Sequence, residues 1–135
     1  MITAVYRDFA AGAQENDITA NSPDEAARVI DILAHPKIGS AVITHHGRPP
    51  WGEGPDHQVV IVVDGEHGAM YYSDRDNPPA HTRGHTAEEW EDENVTFPAE
   101  AWVPRALLAE ALAEFVASGR RPTQLTWHTV SRTGS

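Results

Sequence analysis

His81 and His85 stand four residues apart, and Asp74 and Asp76 two apart, within one polar stretch. Two imidazoles at that spacing share one face of a helix and could ligate a metal. Two carboxylates at alternate positions of an extended chain project to one side and, with His67 or His81, could carry out acid–base chemistry. The residues between the histidines, Thr82-Arg83-Gly84, neither favour a helix nor supply the glutamate of an H-E-x-x-H site. His45 and His46 would fall on opposite faces of a strand and cannot serve one site from there. A small metal-dependent or acid–base enzyme using His81, His85, Asp74 and Asp76 is therefore the alternative reading. No catalytic residue, metal or cofactor is assigned.

A second constellation is the run Glu88-Glu89-Trp90-Glu91-Asp92-Glu93. Charge runs are usually solvated faces. This one encloses a tryptophan, a residue enriched at the centres of protein interfaces. Trp90 is thus either core or an aromatic anchor, and Trp51, set among prolines and glycines, poses the same choice. Tyr71 and Tyr72 alternate in a strand, so one is expected inside and one presented; Tyr72 is taken as the presented one. Trp102 and Trp127 are assigned to the core.

The 135 residues carry 20 acidic and 10 basic side chains, a formal charge of −10. Asp74–Asn94 alone holds a net −5, whereas Gly119–Ser135 has three arginines and no acid. Such a balance disfavours a nucleic-acid-binding surface, because phosphates would be repelled, and favours a basic protein partner. The chain has no cysteine, which excludes a disulfide framework, a thiol nucleophile and cysteine-ligated metals. The length predicts one domain. No secretion signal is read at the N-terminus, and the longest apolar run, Val59–Val63, falls far short of the ~20 residues that span a bilayer. A cytoplasmic protein without membrane contact is expected. A phosphate loop, a G-x-S-x-G elbow and a zinc-deaminase signature are all missing from the sequence.

These groups need elements to hold them. Ile2–Phe9 reads as a strand, Ala10–Asn16 as a loop and Asp17–Ala20 as a short strand. Ser22-Pro23-Asp24-Glu25 is a capping box, followed by the helical stripe Ala26, Val29, Ile30 and Leu33, ending near His35 before Pro36. Ile38–His46 is a strand and Gly47–Pro55 a loop. Gln58–Val63 is a central strand covered on both faces; Asp64-Gly65 turns it into a hairpin with Gly68–Ser73. Asp74–Asn94 reads as a long loop with a helical turn at Ala87–Glu91, and Val95–Phe97 as an edge strand. The strongest helix starts at Pro104, buries Leu108, Ala111, Leu112, Phe115 and Val116, and stops at Gly119 before Pro122. Trp102 and Leu107 are placed to staple its start, and Thr123–Val130 reads as the last strand. This order predicts an α+β domain: a mixed, mostly antiparallel sheet with two main helices packed on it.

From Phe97 to Trp127 the sequence resembles immunity protein family one of bacterial polymorphic toxin systems. The residues that carry the likeness are Phe97-Pro98, Val103-Pro104, Ala111–Phe115, Gly119-Arg120-Arg121-Pro122 and Trp127. The capped first helix and the hairpin ending Tyr71-Tyr72-Ser73 agree in layout. The resemblance implies an α+β protein that neutralises a cognate toxin domain, often a nucleic-acid deaminase, and it transfers no catalytic residue. Such a toxin needs a basic cleft, which a concentrated negative surface could cover. The expected function is non-catalytic binding of the toxin. The expected contacts are Asp74, Asp76, Glu88, Glu89, Trp90, Glu91, Asp92 and Glu93, with Trp51 and Tyr72 as secondary members.

Overall fold

The computed structural model describes residues 1–130, apart from the Trp51 side chain. Arg132, part of the basic C-terminal stretch, lies outside the described residues. Twelve strands and two α-helices follow one another among the described residues. The strands are β1 (Ile2–Asp8), β2 (Gln14–Ala20), β3 (Ile38–His45), β4 (Pro50–Trp51), β5 (Gly54–Pro55), β6 (His57–Asp64), β7 (His67–Asp74), β8 (Ala80–Thr82), β9 (Trp90–Glu91), β10 (Thr96–Phe97), β11 (Val103–Pro104) and β12 (Trp127–Thr129). Helix α1 (Pro23–Leu33) joins β2 to β3, and α2 (Arg105–Ser118) follows β11.

The main sheet runs β12-β8-β7-β6-β3-β1-β2, with β11 also paired to β7. Every pairing among the described residues is antiparallel. This is the α+β architecture that the sequence pattern predicts.

Local chemistry explains the helices. The Ser22 hydroxyl accepts the Glu25 N–H at 3.2 Å, and the Glu25 carboxylate takes the Asn21 N–H at 2.8 Å, so both orphan donors at the start of α1 are satisfied. Ala26, Val29, Ile30 and Leu33 are its buried residues. Helix α2 buries Leu108, Ala111, Leu112, Phe115 and Val116 and ends at Gly119, whose φ of 67° is the left-handed conformation that favours glycine.

Both helices pack on one face of the sheet, over Ile2, Ala4, Ile43, Val59, Ile61, Met70 and Tyr72. The alternate residues of the same strands, Val60, Val62 and Ala69, face the other way and are equally buried. What covers them is the segment from Arg83 to Val103, which crosses the sheet as a strap and contributes Val95, Phe97, Ala101 and Trp102. Strand β6 is therefore sealed on both faces, as its unbroken apolar run predicts.

The strap corrects several expectations. Asp74–Asn94 is not one loop: Ala80–Thr82 is strand β8, paired with both β7 and β12. Ala87–Glu91 contains no helical turn. Strand β10 pairs with β9 inside the strap and not with the main sheet. Trp102 and Leu107 do not form a staple, because Trp102 packs with the strap and Leu107 with the helix-side core. Strand β2 begins at Gln14, earlier than its polar sequence suggests, because it pairs with β1 residue by residue from Asp8↔Gln14 to Ile2↔Ala20.

Candidate partner-binding surface

The strap is folded on itself by backbone and side-chain bonds, and the Thr82 hydroxyl of β8 donates to its Ala101 carbonyl at 2.7 Å. Gly84, His85 and Ala87 donate their N–H groups to Glu100, Trp102 and Ala99 carbonyls at 2.8, 2.6 and 2.8 Å. The Trp102 Nε1–H donates to the Glu88 carbonyl at 2.7 Å. Trp90–Glu91 is extended as β9 and the chain then turns at 92–95 towards β10, and along this stretch buried and exposed side chains alternate. Trp90 and Asp92 turn inward. The Trp90 ring meets Trp102 edge-on at 6.5 Å, and its Nε1–H donates to Asp92 Oδ2 at 3.0 Å. Asp92 also accepts from Ser40 N on β3 at 3.3 Å and from Asn94 N and Val95 N at 2.9 and 3.2 Å. Asn94 Nδ2 adds a bond to the Ser40 hydroxyl at 2.9 Å. Burial opposes the charge of Asp92, but the bonds from Ser40, Trp90 and the two amides outweigh it and hold its carboxyl below the usual range.

The complementary set, Glu88, Glu89, Glu91 and Glu93, is exposed. Glu93 meets Arg7 of β1 at 3.4 Å. Glu88, Glu89 and Glu91 have no ion-pair partner among the described residues. The acidic run thus divides into an inward half that fixes the strap and an outward half that faces solvent. Trp90 belongs to the inward half: it is half-buried, with its donor already used. Of the two readings of Trp90, the geometry lies between them: the ring packs on the strap's own Trp102 and keeps a partly exposed face.

Asp74 and Tyr72 also lie inside. Tyr72 is fully buried against Phe115 and Trp127, and its hydroxyl donates to Asp74 Oδ2 at 2.6 Å. Asp74 Oδ1 accepts from Asp76 N, Asn77 N and Asn77 Nδ2 at 2.8, 2.8 and 2.9 Å. This closes the turn after β7 and leaves the Asp74 side chain only 2% exposed. Neither can touch a partner as the molecule stands; Tyr71, not Tyr72, is the more exposed of the tyrosine pair. Asp76 is exposed at the same turn. The Trp51 side chain lies outside what the structure describes, and the loop expected around it contains the β4–β5 pairing.

The histidines are not brought together as a site. His81 is buried and tilted against His128 at 5.2 Å, whereas His85 stacks on His67 at 4.8 Å. Among the described residues, no group of three or more His, Asp or Glu side chains is arranged to hold a metal ion.

A polar network that sequence reasoning missed lies at the end of the β6–β7 hairpin. Arg48 Nε and Nη2 donate to the two oxygens of Asp56 at 2.7 and 2.8 Å, and Nη1 donates to the Gly119 carbonyl at the end of α2 at 2.6 Å. His57 Nε2 accepts the His45 N–H at 2.9 Å, so its proton sits on Nδ1 and points to Asp56 Oδ1 at 2.9 Å. His45 Nδ1 accepts the Gly47 N–H, and its Nε2–H donates to the Val116 carbonyl. Both imidazoles have each nitrogen committed to a backbone or carboxylate group. The Asp56–His57 pair is therefore a brace that, with Arg48 and His45, ties β3, β6 and α2. Hydrogen bonding from Arg48, against the cost of burial, brings Asp56 down to about 2. Arg48 and Asp56 stand eight apart in a Pro/Gly-rich segment, with no periodicity that could signal their pairing.

The fold is thus a small α+β platform that displays a charged strap. The chain belongs to the Immunity protein Imm1 family, which matches it over residues 14–129. Membership suggests a toxin-neutralising, non-enzymatic role with a cognate toxin protein as partner. A comparison with curated proteins finds no match. No helix among the described residues is long and apolar enough to cross a membrane.

Proposed function

We propose that this protein neutralises its toxin by laying the outward carboxylates of the strap over a basic active-site cleft, and that the toxin is a nucleic-acid deaminase. The observation that carries the reading is the division of the acidic run: Trp90 and Asp92 fix the strap, and Glu88, Glu89 and Glu91 are left facing solvent without partners among the described residues. A cleft that binds nucleic acid is lined with cations, and a rigid row of negative charge competes for them with little ordering cost. Complementary charge also accelerates encounter and repels acidic bystanders. Asp76, at the turn after β7, adds negative charge at the periphery. The protein acts on the cytoplasmic side, where a deaminase would reach nucleic acid.

The test is co-expression with its cognate toxin. Replacing Glu88, Glu89, Glu91 and Glu93 together by glutamine should abolish rescue of growth while leaving the melting temperature nearly unchanged, since three of these carboxylates make no ion pair among the described residues and the Glu93–Arg7 pair is solvent-exposed. Full rescue by that variant would sink the surface assignment.

A further inference from the structure

Between the strap and the β8–β12 end of the sheet lies a cleft of about 490 Å³, with His81, Glu89, Pro98, Glu100, His128 and Val130 among its walls. Glu89 and Glu100 are exposed, and neither has an ion-pair partner among the described residues. Two carboxylates alone would be only a solvated rim. The histidine beneath them adds a separate constraint. His81 is 6% exposed, and its Nδ1–H donates to the Thr82 carbonyl at 2.8 Å. In the neutral ring Nε2 is then a bare acceptor. Among the described residues no fully buried side-chain nitrogen or oxygen lacks a hydrogen-bond partner. Nε2 has none, so it keeps some exposure, on a ring that lines the cleft.

The cleft therefore offers two carboxylates and a bare imidazole nitrogen as acceptors and no cation of its own; its side-chain donors are the Thr96 and Thr129 hydroxyls and the His128 ring. An anion would be repelled by the glutamates, and an apolar group would leave Nε2 without a partner. The complement is a cation with several N–H groups and a slim apolar stem. Arginine fits better than lysine: its planar fork can donate in more than one direction at once and can lie against an imidazole face, here that of His128, while its methylenes run along Pro98 and Val130. We propose that this cleft receives an arginine side chain of the toxin, the fixed point about which the strap's looser charge contacts are arranged. The proposal rests on the function proposed above and gives that surface a specific anchor.

The probe is N-acetyl-L-arginine methylamide, titrated into the full isotope-labelled chain and followed by NMR. The Cε1–H signals of His81 and His128 and the amides of Glu89 and Glu100 should shift together and saturate in the millimolar range. The lysine analogue should bind about fivefold more weakly, for lack of the planar fork. Glu89→Gln with Glu100→Gln should weaken the arginine probe at least tenfold, whereas Glu88→Gln with Glu91→Gln, an equal change of charge, should alter it less than threefold. Shifts spread evenly over the acidic surface, or no saturation, would overturn the cleft assignment while leaving the strap reading intact. Measured against the toxin domain itself, Glu89→Gln with Glu100→Gln should speed dissociation at least tenfold. A probe that binds here together with a toxin complex indifferent to that pair would overturn the proposal that the toxin supplies the arginine.

Discussion

Asp92 is the residue on which the strap's placement depends, and its replacement by alanine gives a worked prediction. The carboxylate accepts four hydrogen bonds, from Ser40 N, Trp90 Nε1, Asn94 N and Val95 N, at 2.9 to 3.3 Å. A hydrogen bond to a charged acceptor is worth about 1.5–3 kcal/mol when buried. Asp92 is only half-buried, so water can replace much of what is lost, and about 0.5–1 kcal/mol per bond is appropriate. The total is about 2–4 kcal/mol. Because two of these bonds close the local turn and two reach Ser40 and Trp90, the loss should fall on the strap, which opens as a unit while β1, β3 and both helices stay folded. Amide hydrogen exchange resolves this directly: protection of His85, Ala87, Asn94 and Val95 should drop roughly thirtyfold or more, the equivalent of about 2 kcal/mol. Trp90 and Trp102 fluorescence should report the exposed indoles. Glu91→Ala, one residue away with the same change of charge but facing outward, is the control and should do nothing to protection. Unchanged protection in Asp92→Ala, or a loss spread evenly through α1 and β1, would refute the view that Asp92 latches the strap.

Further predictions concern the core and its titration. Asp56→Asn should cost about 3 kcal/mol: a carboxyl held at about 2 instead of 3.8 contributes roughly 2 kcal/mol at neutral pH, and Arg48, 14% exposed, loses its bidentate partner and keeps only Asp74 at 3.8 Å as a charge partner. The pH dependence has a definite sign. The folded pKa values of Asp56, Asp74 and Asp92 are depressed, so their contribution is complete above the unfolded carboxylate range and is lost as pH falls from about 4 towards 2. His45, lowered chiefly by burial, adds a loss that begins as pH drops through its unfolded value near 6.5. Urea midpoints at pH 7, 5 and 3 should therefore decrease monotonically. Gly68→Ala should destabilise by at least about 2 kcal/mol, because its new methyl would overlap the Leu108 side chain and approach the Val62 carbonyl to 2.8 Å, against a backbone that cannot yield. Urea titration at neutral pH measures it.

How far the sequence carried these features depends on how local their causes are. The buried stripe of α2 and the capping box of α1 are set by residues within a few turns, and both were legible: every residue assigned to the α2 face is buried. The double burial of β6 was readable from its unbroken apolar run. Strand β8 was not, because Ala80-His81-Thr82 is three residues long and its pairing is decided by β7 and β12. The strap was hidden for a related reason. Its order comes from Asp92 meeting Ser40 across 52 residues and from Trp102 reaching back to Glu88. A polar composition reads as loop when the partners of its polar groups are far away in sequence. Asp74 and Tyr72 differ: their hydrogen bond is local, two residues apart, and it is Arg48 and Phe115, far off in sequence, that enclose the pair. Only the alternation Glu89-Trp90-Glu91-Asp92-Glu93 carried a signal, since extended chain would send its odd and even members to opposite sides.

The central claim is that the outward carboxylates of the strap recognise the toxin electrostatically. The association rate of the toxin domain, measured by stopped flow from 20 to 500 mM salt, tests it most directly. The wild-type rate should fall at least tenfold over that range, and the variant with Glu88, Glu89, Glu91 and Glu93 as glutamine should start near the high-salt value and hardly change. Equal rates and equal salt slopes for the two proteins would contradict it.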